Sequence, residues 1–591
     1  MDPEVSSRGR PLHVRWLGKV RYQDAHALQH GLFDHAVDDH LLLMEHPHVY
    51  TLGVRAGIDH VLVDPATVGA ELVRTDRGGD VTYHGPGQLV GYPLLHLAGK
   101  GAGSMPDTVA YVRSVEQLII DALGDLGLAA DRLPDYPGVW VDVAGANPRK
   151  ICAIGVRLTR GRTLHGFGLN VDPDLAMFDH IVPCGIPDKA VTSLRQEGID
   201  ATMAEVADVV VARAVERWGA DGHHRHDVAW RHRSADLAPF TRGEGAGQLA
   251  GTAGAGPTRG RQRTDIDAQA AGEGSSVRLL GRLAEAGVPQ GLAIGERKPE
   301  WMRAKARIGD DYLRLKRTMR ELDLVTVCEE AGCPNIYECW SDGTATFMIN
   351  GERCTRACGF CLVDTRHPAP PDAGEPERVA AAVERMGLRY VVLTTVARDD
   401  LADGGASQFV ETIAAVRRRT PGVQVETLIS DCKGDPASLE MIFEARPEVL
   451  NHNLETVPRL QRAVRPSASY SRSLVVLARA KAAGLTTKSS LIVGMGESFD
   501  EVVGTLTDLR AIGTDIVTIG QYLRPTTHHL PVARWWTPEE FTELKAVGEA
   551  MGIDHVESSP LTRSSYHARQ AADAADVTTV VPAGAVRSAD G

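Results

Sequence analysis

From residue 345 onward, short apolar runs alternate with amphipathic stretches. Strand-like runs occur at 345–349, 389–395, 423–429, 448–453, 486–493 and 515–519. Between them, and once more at the end, apolar residues recur at three- and four-residue spacing over 377–386, 406–419, 437–445, 471–483, 499–512 and 538–551. Parallel neighbours need crossover helices, so six such units predict an α/β parallel barrel or partial (β/α)6 barrel, with the active site in the loops that follow the strands.

The first half mixes the two periods. Val112, Val115, Leu118, Ile119 and Leu123 lie at helical spacing behind a Pro106-Asp107 start signal, while glycine-rich turns and short apolar strands such as 150–158 surround them. This predicts an α+β sheet domain. Between the halves the pattern fades: seven of the eighteen residues from 243 to 260 are glycine. The expected organisation is a domain at 1–220, a flexible linker at 221–296 and a second domain at 297–591 that ends in a flexible tail. His223, His224 and His226 are read as part of the solvated linker, and 277–286 as a weakly helical stretch that docks loosely.

Size agrees with more than one core, because 591 residues exceed what a single domain holds. A hydrophobic fraction of 43% and a charged fraction of 24% are those of a globular protein and exclude disorder throughout. The formal net charge of −13 disfavours bulk nucleic-acid binding. The N-terminal residues lack an apolar core, and no run reaches the ~18 apolar residues of a membrane span. A cytoplasmic enzyme without membrane or nucleic-acid partners is expected, in a compartment where thiols stay reduced.

Six of the nine cysteines fall in two triplets: Cys328, Cys333 and Cys339 as CxxxxCxxxxxC, and Cys354, Cys358 and Cys361 as CxxxCxxC. Disulfides and structural zinc are the bland readings, yet zinc takes four protein ligands, usually from CxxC pairs. Three thiolates per site suit two 4Fe–4S clusters, each with one iron left open to a further ligand. The second triplet directly follows the first strand, at the expected barrel mouth.

The segment ERCTRACGFC resembles the radical S-adenosylmethionine signature, and the upstream triplet narrows the resemblance to lipoyl synthase. VARDDLADGGA from Val396, NHNLET from Asn451, RPTTHHLPV from Arg524 and RSSYHA from Arg563 are similar to segments of that family, from about Lys298 to Ala568. The resemblance implies that Cys354, Cys358 and Cys361 hold the cluster that binds S-adenosylmethionine, whose reductive cleavage gives a 5′-deoxyadenosyl radical. It also implies that Cys328, Cys333 and Cys339, with a serine of RSSY, hold an auxiliary 4Fe–4S cluster. That cluster is sacrificed to place sulfur on carbons six and eight of a protein-bound octanoyl chain. By position the serine is Ser565, with Ser564 as the competing choice. Thr394, Thr395, Arg398, Asp399, Asn453, Glu455 and Lys488 lie near strand ends and are the candidates for contact with S-adenosylmethionine or peptide. Cys432 is read as a structural thiol.

In the first half, RGGDVTYHGPGQ from Arg77 sets glycines at 78, 79, 85 and 87, which allow backbone amides close to a ligand carbonyl. With KICAIGV from Lys150 and IVPCGI around Cys184, it resembles the octanoyltransferases of lipoate assembly, over about Val14 to Trp218. The resemblance implies the biotin/lipoate protein ligase catalytic-domain fold, a Cys184 nucleophile and a Lys150 that lowers the thiol pKa or shuttles its proton. It implies an acyl site from Arg77, Gly78, Gly79, Asp80, Val81, Thr82, Tyr83 and His84, from Ala153, Ile154 and Gly155, and from Gly166, Phe167 and Gly168, with His165 and Asn170 beside them. Cys152, two residues from Lys150, is expected on the same strand face and stays a minor alternative nucleophile.

Together the halves imply octanoyl transfer from octanoyl-acyl carrier protein to a lipoyl-domain lysine, followed by sulfur insertion. The implied partners are lipoyl domains of 2-oxoacid dehydrogenase complexes, the glycine cleavage H protein, a ferredoxin or flavodoxin reductant and an iron-sulfur carrier. Alternatives for the first half are an ATP-dependent ligase, an octanoyl amidotransferase or a degenerate scaffold. For the second half the alternative is another sulfur-inserting radical enzyme, such as one making biotin.

Overall fold

The computed structural model describes residues 9–98, 106–182, 189–228, 280–288, 291–292, 297–303, 317, 319, 321, 335–341 and 343–575. The chain forms two compact units, residues 1–230 and 231–591.

The first unit is built on β1 (Leu12–Lys19), β2 (Asp39–Glu45), β3 (Val49–Leu52), β4 (Glu71–Arg74), β5 (Val81–His84), β6 (Gln88–Leu94), β7 (Asp131–Leu133), β8 (Tyr136–Val141), β9 (Arg149–Thr159), β10 (Arg162–Asn170), β11 (Ala190–Val191) and β12 (His223–Asp227). Its large mixed sheet runs β12-β1-β2-β6-β10-β9-β8-β7, with β11 also on β9, and a small sheet β4-β3-β5 has its own core. Of its helices α1 (Tyr22–His35), α2 (Thr108–Asp125) and α3 (Met203–Trp218), the last two seal one face of the large sheet. Asp107 starts α2 by accepting from the amides of Val109 and Ala110, and Tyr111, Val115, Leu118, Ile119 and Ala122 form the buried stripe behind it.

One boundary moves. Residues 223–227, assigned to the linker from sequence, form β12 in parallel register with β1, from Leu12↔His223 to Trp16↔Asp227. An edge strand draws its ladder from one neighbour and tolerates polar side chains on both faces, so HHRHD carries no apolar alternation. The glycine-rich part of the expected linker, 229–279, lies outside the described residues. Residues 280–285 are helical, with Leu283 and Val288 buried and the amide of Leu292 on the Val532 carbonyl at 2.7 Å.

The second unit is an open parallel sheet of β13 (Thr344–Ile349), β14 (Tyr390–Thr395), β15 (Gln424–Leu428), β16 (Val449–Asn451), β17 (Thr486–Val493), β18 (Ile516–Gln521) and β19 (His555–Ser558), in that spatial order. Helices Glu375–Met386, Ala406–Arg419, Pro436–Glu444, Tyr470–Ala482, Phe499–Ala511 and Pro538–Ala550 connect them. The six expected strands are present. The seventh, HVES, is too short and polar to show a period. Beneath the sheet a helix at Ala568–Ala574 packs Ala568 and Ala572 on Tyr390, Val392 and Val449.

Four neighbouring strands meet in one polar cluster. The Lys488 ammonium lies 3.0 Å from Glu426, both side chains fully buried, and Glu426 also accepts from the Tyr390 hydroxyl at 2.9 Å and the Asn451 amide at 3.0 Å. Lys488, a candidate from sequence for cofactor contact, is thus held in the interior of the sheet. Removing one member of a buried pair strands the other charge, so Lys488→Met is expected to cost about 3–5 kcal/mol. The shift of the second unit's transition in urea measures it, and a shift worth less than ~1 kcal/mol would contradict the pairing.

Candidate functional sites

In the first unit a cavity of about 370 Å³ opens where β5, β9 and β10 meet the 77–80 turn. Arg77, Gly78, Gly79, Asp80, Thr82, His84, Lys150, Ala153, Ile154, Gly155, His165, Gly166, Phe167 and Gly168 line it. Val81 and Tyr83 do not: alternation along β5 turns them into the small core, where both are fully buried. Tyr22, Arg55, Tyr92, Asp135, Tyr136 and Pro137 also line the cavity. They come from α1, β6, β8 and two loops, and nothing in their local sequence marks them.

Arg77 is a clamp: its guanidinium donates to the Thr51 carbonyl at 2.6 Å and to the Thr51 hydroxyl at 2.8 Å. The Gly78 amide donates to the Val156 carbonyl at 3.0 Å and so is not available to a ligand. Lys150 is buried on β9 with its ammonium 4.8 Å from the centre of the Trp140 ring. Cys152 does not share its face. The β8–β9 register slips between Val139↔Cys152 and Trp140↔Lys150, so one extra residue of β9 is accommodated there and Ile151 and Cys152 both enter the core. Burial raises the Cys152 thiol pKa well above its ordinary value, which disfavours a nucleophilic thiolate.

Gly138 adopts φ +116°, and a Cβ there would sit 2.5 Å from the Cys152 carbonyl oxygen. Gly138→Ala is therefore expected to cost at least about 1–3 kcal/mol and to displace Lys150, read as a lower unfolding temperature of the first unit. Unchanged stability would remove this constraint.

A polar chain fixes His84. Asn170 donates to the Thr192 carbonyl at 2.9 Å, Gln88 donates to Asn170 Oδ1 at 2.9 Å, and the Gln88 carbonyl lies 2.6 Å from His84 Nδ1. The amide orientations assign the proton to Nδ1 and leave Nε2 with its lone pair. Burial, with His46 adding to it, pushes the His84 pKa down to about 3, so the ring is neutral. Cys184 lies outside the described residues, within 183–188. On one side of that segment the Val182 amide donates to His60; on the other, Val191 pairs with Lys150.

In the second unit Cys354, Cys358 and Cys361 follow β13. Their loop is pinned by the Cys354 amide on Asp364 at 2.8 Å, the Thr355 amide on Ala397 at 2.9 Å, the Gly359 amide on Val464 at 2.9 Å and the Leu530 amide on the Gly359 carbonyl at 2.9 Å. Cys354 Sγ accepts from the amides of Arg356 at 3.4 Å and Ala397 at 3.3 Å. Arg356, itself buried, donates twice to Asp399 at 2.7 Å and once to the buried Asp431 at 2.6 Å.

The three thiols fit an iron-sulfur cluster. Burial holds all three up, with neighbouring thiols adding to it at Cys354 and Cys361 and Glu455 at Cys358; Cys354 is pushed up to about 11. Glu455, at φ +67°, and Arg465 act electrostatically on Cys358. Asn453 donates to Glu455 at 3.0 Å, which sets both candidates beside the cysteines. Thr394 is buried near the end of β14, and the Thr395 hydroxyl lies 3.0 Å from the Asn350 amide. Arg398 is instead a clamp, spent on the Asn350 carbonyl at 2.8 Å, the Ala369 carbonyl at 3.0 Å and Asp400. Cys432 is buried, its thiol pushed up to about 12, as expected for a structural cysteine.

Cys328 and Cys333 lie outside the described residues. Cys339 sits on a short helix at Ile336–Ser341, tied to RSSYHA by Tyr566 and His567 on Glu338 at 3.1 and 3.3 Å. Within that motif Ser564 accepts from Asn451 at 2.9 Å and donates to Asn453 at 3.3 Å, whereas Ser565 has no hydrogen bond among the described residues. Among the described residues no helix is long and apolar enough to cross a membrane.

Comparison with known proteins agrees with this layout. Residues 21–214 match the lipoyl protein ligase A/B catalytic domain, 288–333 the N-terminal domain of lipoyl synthase, and 348–509 the radical SAM superfamily. Lipoyl synthase from Rubrobacter xylanophilus is 56% identical over 275 residues, 46% of this chain and 86% of its own length. That from Mycolicibacterium smegmatis is 55% identical over 273 residues, 46% of this chain and 87% of its own. The bipartite lipoate protein ligase of Thermoplasma acidophilum superposes at TM-score 0.32 and 18% identity, over 37% of this chain and 88% of its own. With the cysteine loop at the mouth of its parallel sheet, the chain belongs to the lipoyl synthase family, bearing a lipoyl protein ligase A/B catalytic domain ahead of the radical S-adenosylmethionine unit.

Proposed function

We propose that the chain performs two consecutive steps on one carrier: octanoyl transfer from octanoyl-acyl carrier protein to a lipoyl-domain lysine through a Cys184 thioester, then insertion of two sulfurs at carbons six and eight. The observation that carries the first step is a cavity holding Lys150 and a neutral His84, next to the strand through which the Cys184 segment rejoins the sheet. Cys184 Sγ attacks the octanoyl carbonyl and the carrier thiol leaves with a proton. The neutral lysine amine of the lipoyl domain then displaces Sγ, and its proton returns to the Lys150 amine that had protonated the departing carrier thiolate, or passes to His84 Nε2.

For the second step Cys354, Cys358 and Cys361 would hold a 4Fe–4S cluster, which with S-adenosylmethionine would supply one-electron chemistry able to break unactivated C–H bonds. Arg356, locked by Asp399 and Asp431, and the pinned backbone around Gly359 keep the cysteine loop fixed. Cys328, Cys333, Cys339 and Ser565 hold the second cluster, the sulfur substrate; the uncommitted hydroxyl of Ser565 favours it over Ser564. Alkoxide is a poorer match than thiolate to iron and releases it more readily. The partners are those implied above: octanoyl-acyl carrier protein, lipoyl domains and H protein, a ferredoxin or flavodoxin, and an iron-sulfur carrier.

The test is an anaerobic reaction of the full chain with octanoyl-acyl carrier protein as the sole donor and no ATP. The lipoyl domain is expected to gain the octanoyl mass and, after S-adenosylmethionine and reductant are added, two sulfurs. Octanoylation that requires ATP would overturn the transferase assignment.

A further inference from the structure

At the solvent edge of the first unit, α1 presents His26 and His30, one turn apart on one face, towards Asp76 in the turn that precedes Arg77. His26 Nε2 is 3.3 Å from Asp76 Oδ1, His30 Nε2 is 3.6 Å from Oδ2, and the two imidazole centroids are 4.4 Å apart. Zinc bonds of about 2.0–2.1 Å in a tetrahedron separate neighbouring donors by about 3.3 Å. Both carboxylate-to-imidazole distances are near that value.

Two further observations point to a ligand. His30 Nε2 is buried and has no hydrogen-bond partner among the described residues although it faces the carboxylate. Such an orphaned nitrogen is costly unless something occupies it. His165, fully buried, lies behind the carboxylate: its amide donates to Gln29 Oε1 at 2.8 Å, the Gln29 amide nitrogen lies 3.3 Å from Nδ1, and Nε2 lies 2.7 Å from Asp76 Oδ1. This clamp assigns the His165 proton to Nε2, so His165 orients Asp76 rather than offering a lone pair. Side-chain exposures of 35%, 33% and 27% for His26, His30 and Asp76 leave room for water ligands.

We propose that His26, His30 and Asp76 form a binding site for a zinc-class divalent cation, with His165 and Gln29 orienting the carboxylate. Two imidazoles and a carboxylate suit Zn²⁺ or Co²⁺ rather than the all-oxygen shells of Ca²⁺ and Mg²⁺. The cation bridges α1 to the turn that carries Arg77, and so stiffens one wall of the acyl cavity from outside it. The groups facing the site are Arg157, which pairs with Asp76 Oδ2, Asp34 near His30, and Arg77 near His165. Arg157 is 43% exposed and competes with the cation for one carboxylate oxygen.

The test uses the full chain with its iron-sulfur sites loaded, titrated anaerobically with Co²⁺. One equivalent is expected to give the visible d–d bands of nitrogen and oxygen ligation without thiolate charge-transfer absorption, and Zn²⁺ is expected to displace it. H26A/H30A is expected to weaken binding at least about 100-fold, and R157A to tighten it by removing the competing guanidinium. Helix-favouring alanines keep the double variant folded, and the exposed R157A gives a readout of opposite sign. Absence of the bands, their persistence in H26A/H30A, or weaker binding in R157A would each overturn the site.

Discussion

Lys150→Ala is expected to slow octanoyl transfer by about 10²–10⁴-fold, the usual contribution of a positioned proton-transfer group, while leaving sulfur insertion into a preloaded octanoyl domain unchanged. The residue is buried in the cavity wall, close enough to Trp140 for a cation–π contact, and the strand through which the 183–188 segment rejoins the sheet pairs with its backbone. Single-turnover acylation measures the loss. The fall should appear in the chemical step, with the affinity for octanoyl-acyl carrier protein little altered. A loss of both activities would refute independent sites, and a loss below tenfold would remove Lys150 from the proton path.

Cys358→Ala is the complementary experiment. S-adenosylmethionine cleavage and lipoyl product are expected to fall below detection and iron content to drop by one cluster, with octanoyl transfer retained. The loop around it should keep its shape, because the hydrogen bonds of Gly359 to Val464 and Leu530 run through the backbone. Cleavage above a tenth of the parent rate would show that the cysteine is not a ligand.

Much of this architecture was legible in the sequence, for physical reasons. Helix Ala406–Arg419 and strand β17 have the bounds that periodicity predicts, since each buries one regular stripe or run. β12 and β19 were missed because short polar strands carry no period. The lysine and cysteine of KIC were placed on one face because alternation was assumed, and a bulge, a feature of the pairing with β8, undid it. Of the cavity lining, Arg77 to Asp80, Thr82 and His84 were readable from the glycine-rich turn. Tyr22, Tyr92 and Tyr136 were not, because each is brought in by a different element. His26 and His30 needed Asp76, fifty residues away in sequence from His26, before their spacing meant anything.

The contact between Glu338 and the RSSYHA motif also fixes an order of manufacture. Glu338 and His567 are 229 positions apart. At about 5–20 residues per second a ribosome needs about 10–50 s to make the intervening chain. Cys339 therefore leaves the ribosome long before Ser565 exists. If Ser565 completes the ligand set as proposed, a cluster inserted during translation would have to wait with that set incomplete, and the completed one could form only after β19 and the following turn have been made. On the proposed ligand set, completion of the second cluster would in this sense be timed by the RSSYHA segment rather than by the cysteines.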